Sequence, residues 1–528
     1  METTRWVWET AYKPTANLQR VAYTCGILSD RQLQLTDLTV SELIPRLLSG
    51  YTPAVEVTEA FCARAAIAHQ LLNCLTDFFL EEAIARAKAI DAEFAQHKAP
   101  VGVLHGIPIA IKDTYEVKDK RMTAGIVAWY DRPPQQEDAT LVRVMKDAGA
   151  IVFARTTMPQ TGMAVETVGP LFGRTLSPFN IEFGAGGSSG GDGVLVAMHG
   201  APCAPISTDV GGSIRLPAAF NGLYGMRPTA ERCPGMGMAS TRMGMISIKS
   251  TCGPCAQSMS DLKLATKLVL THPTVPNEPT CIPGYWHEGA QKSKLKVGIF
   301  MTDQVVEPHS PISRALNETA RKLRAAGHEV VEFQPPIDSW EAAKTTLGLF
   351  FQIGVEEIFD VLSQSGEPPI PQFANVLKTF DVREHSVAEV FQLHREQLAY
   401  KSALVKAWDC TARETPLGEP IDCIICPTAP MACLPHDFTP WWGYTMFWNL
   451  VDYPALVLPL KDFRIDPTKD TKPEDYCPRE TNPFDRPNWE IYDADRWKTQ
   501  PVTIQIVGRH CKDEDLIAAA EVIDSVVQ

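Results

Sequence analysis

Apolar residues recur at helical spacing near the start of the chain and in short runs farther on. Thr39-Val40-Ser41-Glu42 is a capping box, with Leu43-Ile44 and Leu47-Leu48 on one face behind it and Gly50 as its stop. Pro45 is read as early enough to be borne in the first turn. Thr52-Pro53 opens a second helix through Ala60, Ala63 and Ile67, and 81–96 reads as a third, so the pattern predicts a helical N-terminal layer. From Ile107 onward short apolar runs alternate with helical stretches. Strands are predicted over 150–154, 296–300 and 423–427, the first after a helix over 139–147. Such alternation implies an α/β fold, a sheet covered by helices.

The 528 residues could fill about three or four domains by length alone, yet no repeat or convincing boundary divides them. The segment 466–499, rich in Pro, Asp, Lys and Arg, reads as a surface insertion. Hydrophobic residues at 45% and charged residues at 21% suit a soluble globular enzyme. The formal charge of −14 argues against a nucleic-acid surface, which needs a basic patch. Met1-Glu2-Thr3-Thr4-Arg5-Trp6 offers no apolar run of signal-peptide length, and no stretch approaches the ~20 apolar residues of a membrane span. The expected setting is cytoplasmic.

Candidate chemistry concentrates in Gly186-Gly187-Ser188-Ser189-Gly190-Gly191, in Thr208-Asp209-Val210-Gly211-Gly212-Ser213-Ile214-Arg215, and in the lysine of Gly106-Ile107-Pro108-Ile109-Ala110-Ile111-Lys112-Asp113. Amide hydrolysis needs an activated nucleophile, a proton carrier for the leaving amine, and donors aimed at the developing oxyanion. Serine hydroxyls, a lysine kept neutral by apolar surroundings, and glycine N–H groups open to close approach supply all three without metal or cofactor. A glycine-serine run taken alone is usually a linker, but this one has no low-complexity surroundings and recurs downstream.

Two other readings use the same letters. Gly187-Ser188-Ser189-Gly190-Gly191 satisfies the nucleophile elbow of an α/β-hydrolase with Ser189 as nucleophile, but the stretch before it is a poor strand. Cys252-Gly253-Pro254-Cys255 matches a thioredoxin dithiol, and Cys423-Ile424-Ile425-Cys426 is a second such pair. The first lacks the strand-then-helix setting that activates a thiolate, and the two lie too far apart for a compact zinc module. The other ten of the 14 cysteines read as small buried hydrophobes.

From about Thr36 to the C-terminus the chain resembles the amidase signature enzymes, above all the fungal acetamidase and general amidase branch. The resemblance rests on Val101-Gly102-Val103-Leu104-His105-Gly106-Ile107-Pro108, Met158-Pro159-Gln160-Thr161, Leu171-Phe172-Gly173-Arg174-Thr175, both glycine-serine stretches, Leu216-Pro217-Ala218-Ala219-Phe220-Asn221-Gly222 and Pro501-Val502-Thr503-Ile504-Gln505-Ile506-Val507-Gly508. It implies one domain over 36–528 behind an N-terminal extension over 1–35, built on a central mixed β-sheet covered by α-helices. It implies a Ser-cisSer-Lys triad of Ser213 as nucleophile, Ser188 on a cis peptide bond as proton relay, and Lys112 as base. The N–H groups of Val210, Gly211, Gly212 and Ser213 would form the oxyanion hole, with Gly162 in contact with substrate. The implied substrate is a small-molecule amide, and a homodimer is compatible with the family. An amidotransferase subunit feeding a tRNA, or a silent scaffold of the same fold, is the alternative.

One residue more than the family usually shows falls between Ser188 and Ser213. It is assigned to the stretch 198–206, where Pro205 replaces a residue expected to be small, and a loop is expected to absorb it. The Gly253-Pro254 pair falls where the family carries a turn. Asp209 and Arg215 are expected to pair and hold the oxyanion loop. Met236, Met238, Met243 and Met245, and the aromatic group Trp441, Trp442, Tyr444, Phe447 and Trp448, are read either as pocket lining or as core.

Overall fold

The capping box forms as the pattern requires. The computed structural model describes residues 17–273, 278–282, 284, 286–380, 382–415 and 418–528. In it Glu42 reaches back to the Thr39 N–H at 2.9 Å while Thr39 accepts from the Glu42 N–H, and the helix Val40–Leu48 buries Val40, Leu43 and Leu47. Pro45 lies inside this helix rather than in its first turn, so the expectation fails there: one intrahelical hydrogen bond is lost and burial of the apolar face carries the helix past it.

Helix Ala54–Leu72 follows Pro53, which has no side chain able to cap it. Asp91, on the next helix Leu80–His97, does so instead, accepting from the N–H groups of Ala54 and Val55 at 2.7 and 3.1 Å. Asp261 serves Val40 and Ser41 in the same way, at 2.9 Å each, and fastens the N-terminal layer to helix Met259–Thr271. The extension expected over 1–35 lies outside the described residues up to position 16. From there it packs on the body, with the Leu18 N–H on the Pro178 carbonyl at 2.8 Å and Arg64 on the Tyr23 hydroxyl at 2.9 Å.

The strands in chain order are β1 (Leu75–Phe78), β2 (Pro108–Lys112), β3 (Ile151–Thr156), β4 (Val168–Gly169), β5 (Gly173–Arg174), β6 (Cys203–Asp209), β7 (Tyr224–Arg227), β8 (Thr251–Ala256), β9 (Lys296–Ile299), β10 (Glu329–Glu332), β11 (Cys423–Cys426), β12 (Ala455–Pro459) and β13 (Thr503–Val507). Among the described residues eight of them form one sheet in the order β10-β9-β11-β13-β12-β7-β8-β6. β10, β9 and β11 run parallel, and the other neighbours pair antiparallel, so the sheet is mixed. β1-β3-β2 forms a smaller sheet whose strand β2 lies against β6, which brings Lys112 at the end of β2 beside Thr208 near the end of β6. No helix of the described residues is long and apolar enough to cross a membrane.

Three expectations are revised by long-range pairing. The stretch 198–206 is a loop only as far as 202: from Cys203 on, Pro205 included, it belongs to β6, whose register against β8 shifts between Ala204 and Ser207. A proline donates no ladder hydrogen bond, and a bulge is where a strand admits one together with an extra residue. Gly253-Pro254 is not a turn but the middle of β8, where Gly253 presses so closely on the Met226 carbonyl of β7 that no Cβ would fit. The segment 466–499 is more firmly held than a solvated loop. It contains helices Asp485–Glu490 and Ala494–Trp497, buries Trp489 and Trp497, and ties Asp470 to Arg314 at 2.7 Å. Its charged composition hid these two tryptophan anchors.

Candidate active site

Lys112 ends a strand that is buried at every position, and its side chain is 1% exposed. Its Nζ donates to three hydroxyls, Ser188 Oγ at 2.6 Å, Thr208 Oγ1 at 2.8 Å and Ser189 Oγ at 2.9 Å. Burial pushes the amine down to about 8, against the opposing pull of the Asp192 and Asp209 carboxylates. Asp192 lies behind it, also buried, and accepts from Thr156 and Ser207 at 2.6 and 2.5 Å.

The Gly187–Ser188 peptide bond is cis. The glycines around it are packing sites, not linker: a Cβ on Gly187 would come within 2.5 Å of the Ala164 carbonyl oxygen. Helix Gly190–Ala197 begins directly after the serine pair. Ser188 and Ser189 are both buried, whereas Ser213 is partly exposed.

The loop after β6 turns on Gly212, whose φ of +130° suits glycine, and where a side chain would strike Thr445. Asp209 and Arg215 bracket this loop and are both fully buried. Asp209 accepts from the Gly212 N–H at 2.8 Å and from the Ile214 N–H at 3.2 Å, and takes Arg215 Nε and Nη2 at 3.0 and 3.1 Å. Burial alone would raise this carboxyl, but the Arg215 charge and the hydrogen bonds of Arg215 and Asn449 hold it well below the usual carboxylate range. Arg215 reaches on to Gln505, Thr445 and Asn449. Of the four backbone N–H groups expected to face an oxyanion, that of Gly212 is therefore engaged by Asp209. Those of Val210, Gly211 and Ser213 have no partner among the described residues.

Two cavities meet at Gly162, Val210 and Ser213. One is narrow and apolar, lined by Met163, Val165, Leu216, Val376 and Trp442. The other is wider and holds Lys112, Ser188, Thr208 and Arg242. Ser189 lines neither. Met238, Met243 and Met245 line the second cavity but Met236 does not, and of the aromatic group only Trp442 reaches a cavity. Trp441, Tyr444, Phe447 and Trp448 are buried core.

The sequence model of the family described as Amidase matches residues 56–517. The chain belongs to the amidase family. It is 46% identical to an amidase of Gibberella zeae, over 99% of this chain and 96% of that one. It is 35% identical to an acetamidase of Emericella nidulans, over 95% and 91% of the two. A fatty acid amide hydrolase structure superposes with a TM-score of 0.92 at 29% identity, covering 99% of this chain and 92% of that one. The chain is thus an amide hydrolase on an amidase-type mixed α/β fold.

In this amidase Cys252 and Cys255 stand inside strand β8 and are fully buried. Desolvation pushes both thiols well above their ordinary range, the opposite of an activated dithiol. Cys423 and Cys426 on β11 are equally buried, with the Cys426 thiol pushed up to about 12. Among the described residues no group of three or more His, Cys, Asp and Glu side chains could hold a metal ion. Thr208, Asp192, Asn449 and Gln505 escaped the sequence reading as site residues. Thr208 and Gln505 stood inside motifs already singled out, while the other two carried no local signal.

Proposed function

We propose that this amidase hydrolyses carboxylic amides through an acyl-enzyme on Ser213, with Ser188 and Lys112 as its proton relay. The observation that carries the proposal is the 2.6 Å contact between Ser188 and a buried Lys112 amine poised near neutrality. Neutral Lys112 takes the Ser188 proton, and Ser188 takes that of Ser213 as its oxygen attacks the amide carbonyl. The oxyanion that forms is met by the N–H groups of Val210, Gly211 and Ser213, while Gly212 keeps its N–H on Asp209 and acts by shaping the loop. Gly162, shared by both cavities, lies against the substrate. The relay returns its proton to the leaving amine, and water then releases the acid by the same steps in reverse.

The cytosolic setting read from composition belongs to this proposal, as does action without a partner subunit. An amidotransferase subunit would need other chains and a tRNA, which the acidic charge disfavours, and a silent scaffold would turn nothing over. The test is hydrolysis of a panel of amides by the purified chain, with a fluorophosphonate probe in parallel. Turnover that Ser213→Ala abolishes in a folded protein, and labelling at Ser213, support the reading. Labelling at Ser189 instead transfers the role of nucleophile to the α/β-hydrolase-type elbow.

A further inference from the structure

Arg242 lines the cavity that holds Lys112, Ser188 and Ser213, and its Nε and Nη1 are buried with no hydrogen-bond partner among the described residues. Its guanidinium lies 5.3 Å from the Phe350 ring and 5.6 Å from the Phe351 ring, both fully buried. The two rings orient the planar cation and exclude water from one side, but they accept no N–H···O bond. Burial pushes the guanidinium down to about 10, which leaves it charged at neutral pH. Among the described residues no acidic side chain lines this cavity, and Thr161, whose hydroxyl is likewise buried without a partner, lines it too. An unpaired buried charge is costly unless something supplies the missing acceptor. In a chain of formal charge −14 the general field repels anions, so a fixed cation beside the reacting groups has a specific use.

We infer that Arg242 docks a carboxylate carried by the substrate, so that the preferred amides are anionic. This rests on the hydrolase reading above and narrows its substrate class. A planar carboxylate satisfies the guanidinium fork with two parallel hydrogen bonds, which the rings cannot provide. The carboxylate belongs either to the acyl part, as in the half-amide of a dicarboxylic acid, or to the amine part, as in an N-acyl amino acid.

The experiment compares kcat/KM for matched pairs: succinamate and glutaramate against butanamide and pentanamide, and N-acetylglycine against N-ethylacetamide. The wild-type chain is expected to prefer the charged member in one series, which identifies the source of the carboxylate. Arg242→Gln is expected to cut that charged-to-neutral ratio by about tenfold or more, chiefly through KM, with Arg242→Lys restoring part of it. Arg242→Met, which keeps the packing on the two rings, is the second neutral variant if the glutamine variant does not fold. Calorimetric binding of succinamate, glutaramate and N-acetylglycine to the Ser213→Ala chain, with and without Arg242→Gln, reads the site without turnover. Hydrolysis of neutral amides with no preference for charge in either series overturns the assignment of Arg242 and leaves the hydrolase reading standing. Carboxylate binding that depends on Arg242, with no amide hydrolysed, overturns the hydrolase reading and keeps the anion site. Equal binding with and without Arg242 overturns the inference.

Discussion

Lys112 Nζ stands 2.6 Å from Ser188 Oγ at the buried end of strand β2, and its two other hydrogen-bond partners are also neutral hydroxyls. Hydroxyls orient an amine without neutralising an ammonium. The nearby carboxylates of Asp192 and Asp209 act only through space, so desolvation wins and the amine is held down at about 8, below an ordinary lysine.

The pH profile follows from that. The proposed base, Lys112, can take a proton only when neutral, and its neutral fraction rises as pH passes through about 8. A plot of kcat/KM against pH is therefore expected to climb from acid to mildly alkaline conditions and level off above that value. Lys112→Ala should lower the rate by about 10²–10⁴-fold and flatten the ascending limb. Lys112→Arg should not rescue it, since a guanidinium stays protonated. An alanine variant with the wild-type rate and profile would refute Lys112 as the base.

Arg215 and Asp209 are expected to act through stability as well as rate. Removing one member of a fully buried pair strands the other's charge, at a cost of roughly 3–5 kcal/mol. Arg215→Ala should lower the melting temperature together with activity, as measured by calorimetry beside the assay. Asp209 is held below the usual carboxylate range, so the contribution of the pair is fully present above pH ~4 and lost only as pH falls well below it. Full stability with lost activity would instead place Arg215 on the substrate.

Thiol reagents distinguish exposed from buried cysteines. Cys410, Cys477 and Cys511 are exposed, whereas Cys252 and Cys255 are sealed in the sheet. Titration of the native chain should modify the exposed thiols while hydrolysis continues, and EDTA should leave the rate unchanged. Loss on EDTA restored by zinc would overturn the serine-lysine mechanism.

The apolar cavity bounded by Met163, Leu216 and Trp442 should favour amides with groups larger than acetamide's methyl. Preferences are expected to be graded, about 1–3 kcal/mol per methylene, and read as kcat/KM along a homologous series. Trp442 also packs against Gly211, where a Cβ would come within 2.7 Å of the indole, so Trp442→Ala should flatten the series by loosening that wall. Acetamide outperforming every larger amide would show the cavity to be structural.

The motifs proposed to carry the chemistry were legible because their requirements are local. Glycines that admit no Cβ, paired serines and a lysine behind an apolar strand announce themselves in single stretches. Arg242 did not, because nothing beside it in sequence marks it as unpaired, and its rings come from Phe350 and Phe351, far along the chain. The alternation of Cys252-Gly253-Pro254-Cys255 resembles a redox motif until its pairing with β7 and β6 makes it the interior of a sheet.

By itself the sequence determined the family, the α/β class, the capping box at Thr39 and the stretches that hold Lys112, Ser188 and Ser213, since each is written in contiguous residues. Tertiary structure alone decided which N–H group Asp209 holds, how the strand at Pro205 takes a bulge, which aromatic residue faces a cavity, and which arginine has guanidinium nitrogens left without an acceptor among the described residues. These are matters of hydrogen-bond saturation and burial, and they depend on partners that only the folded chain brings within reach.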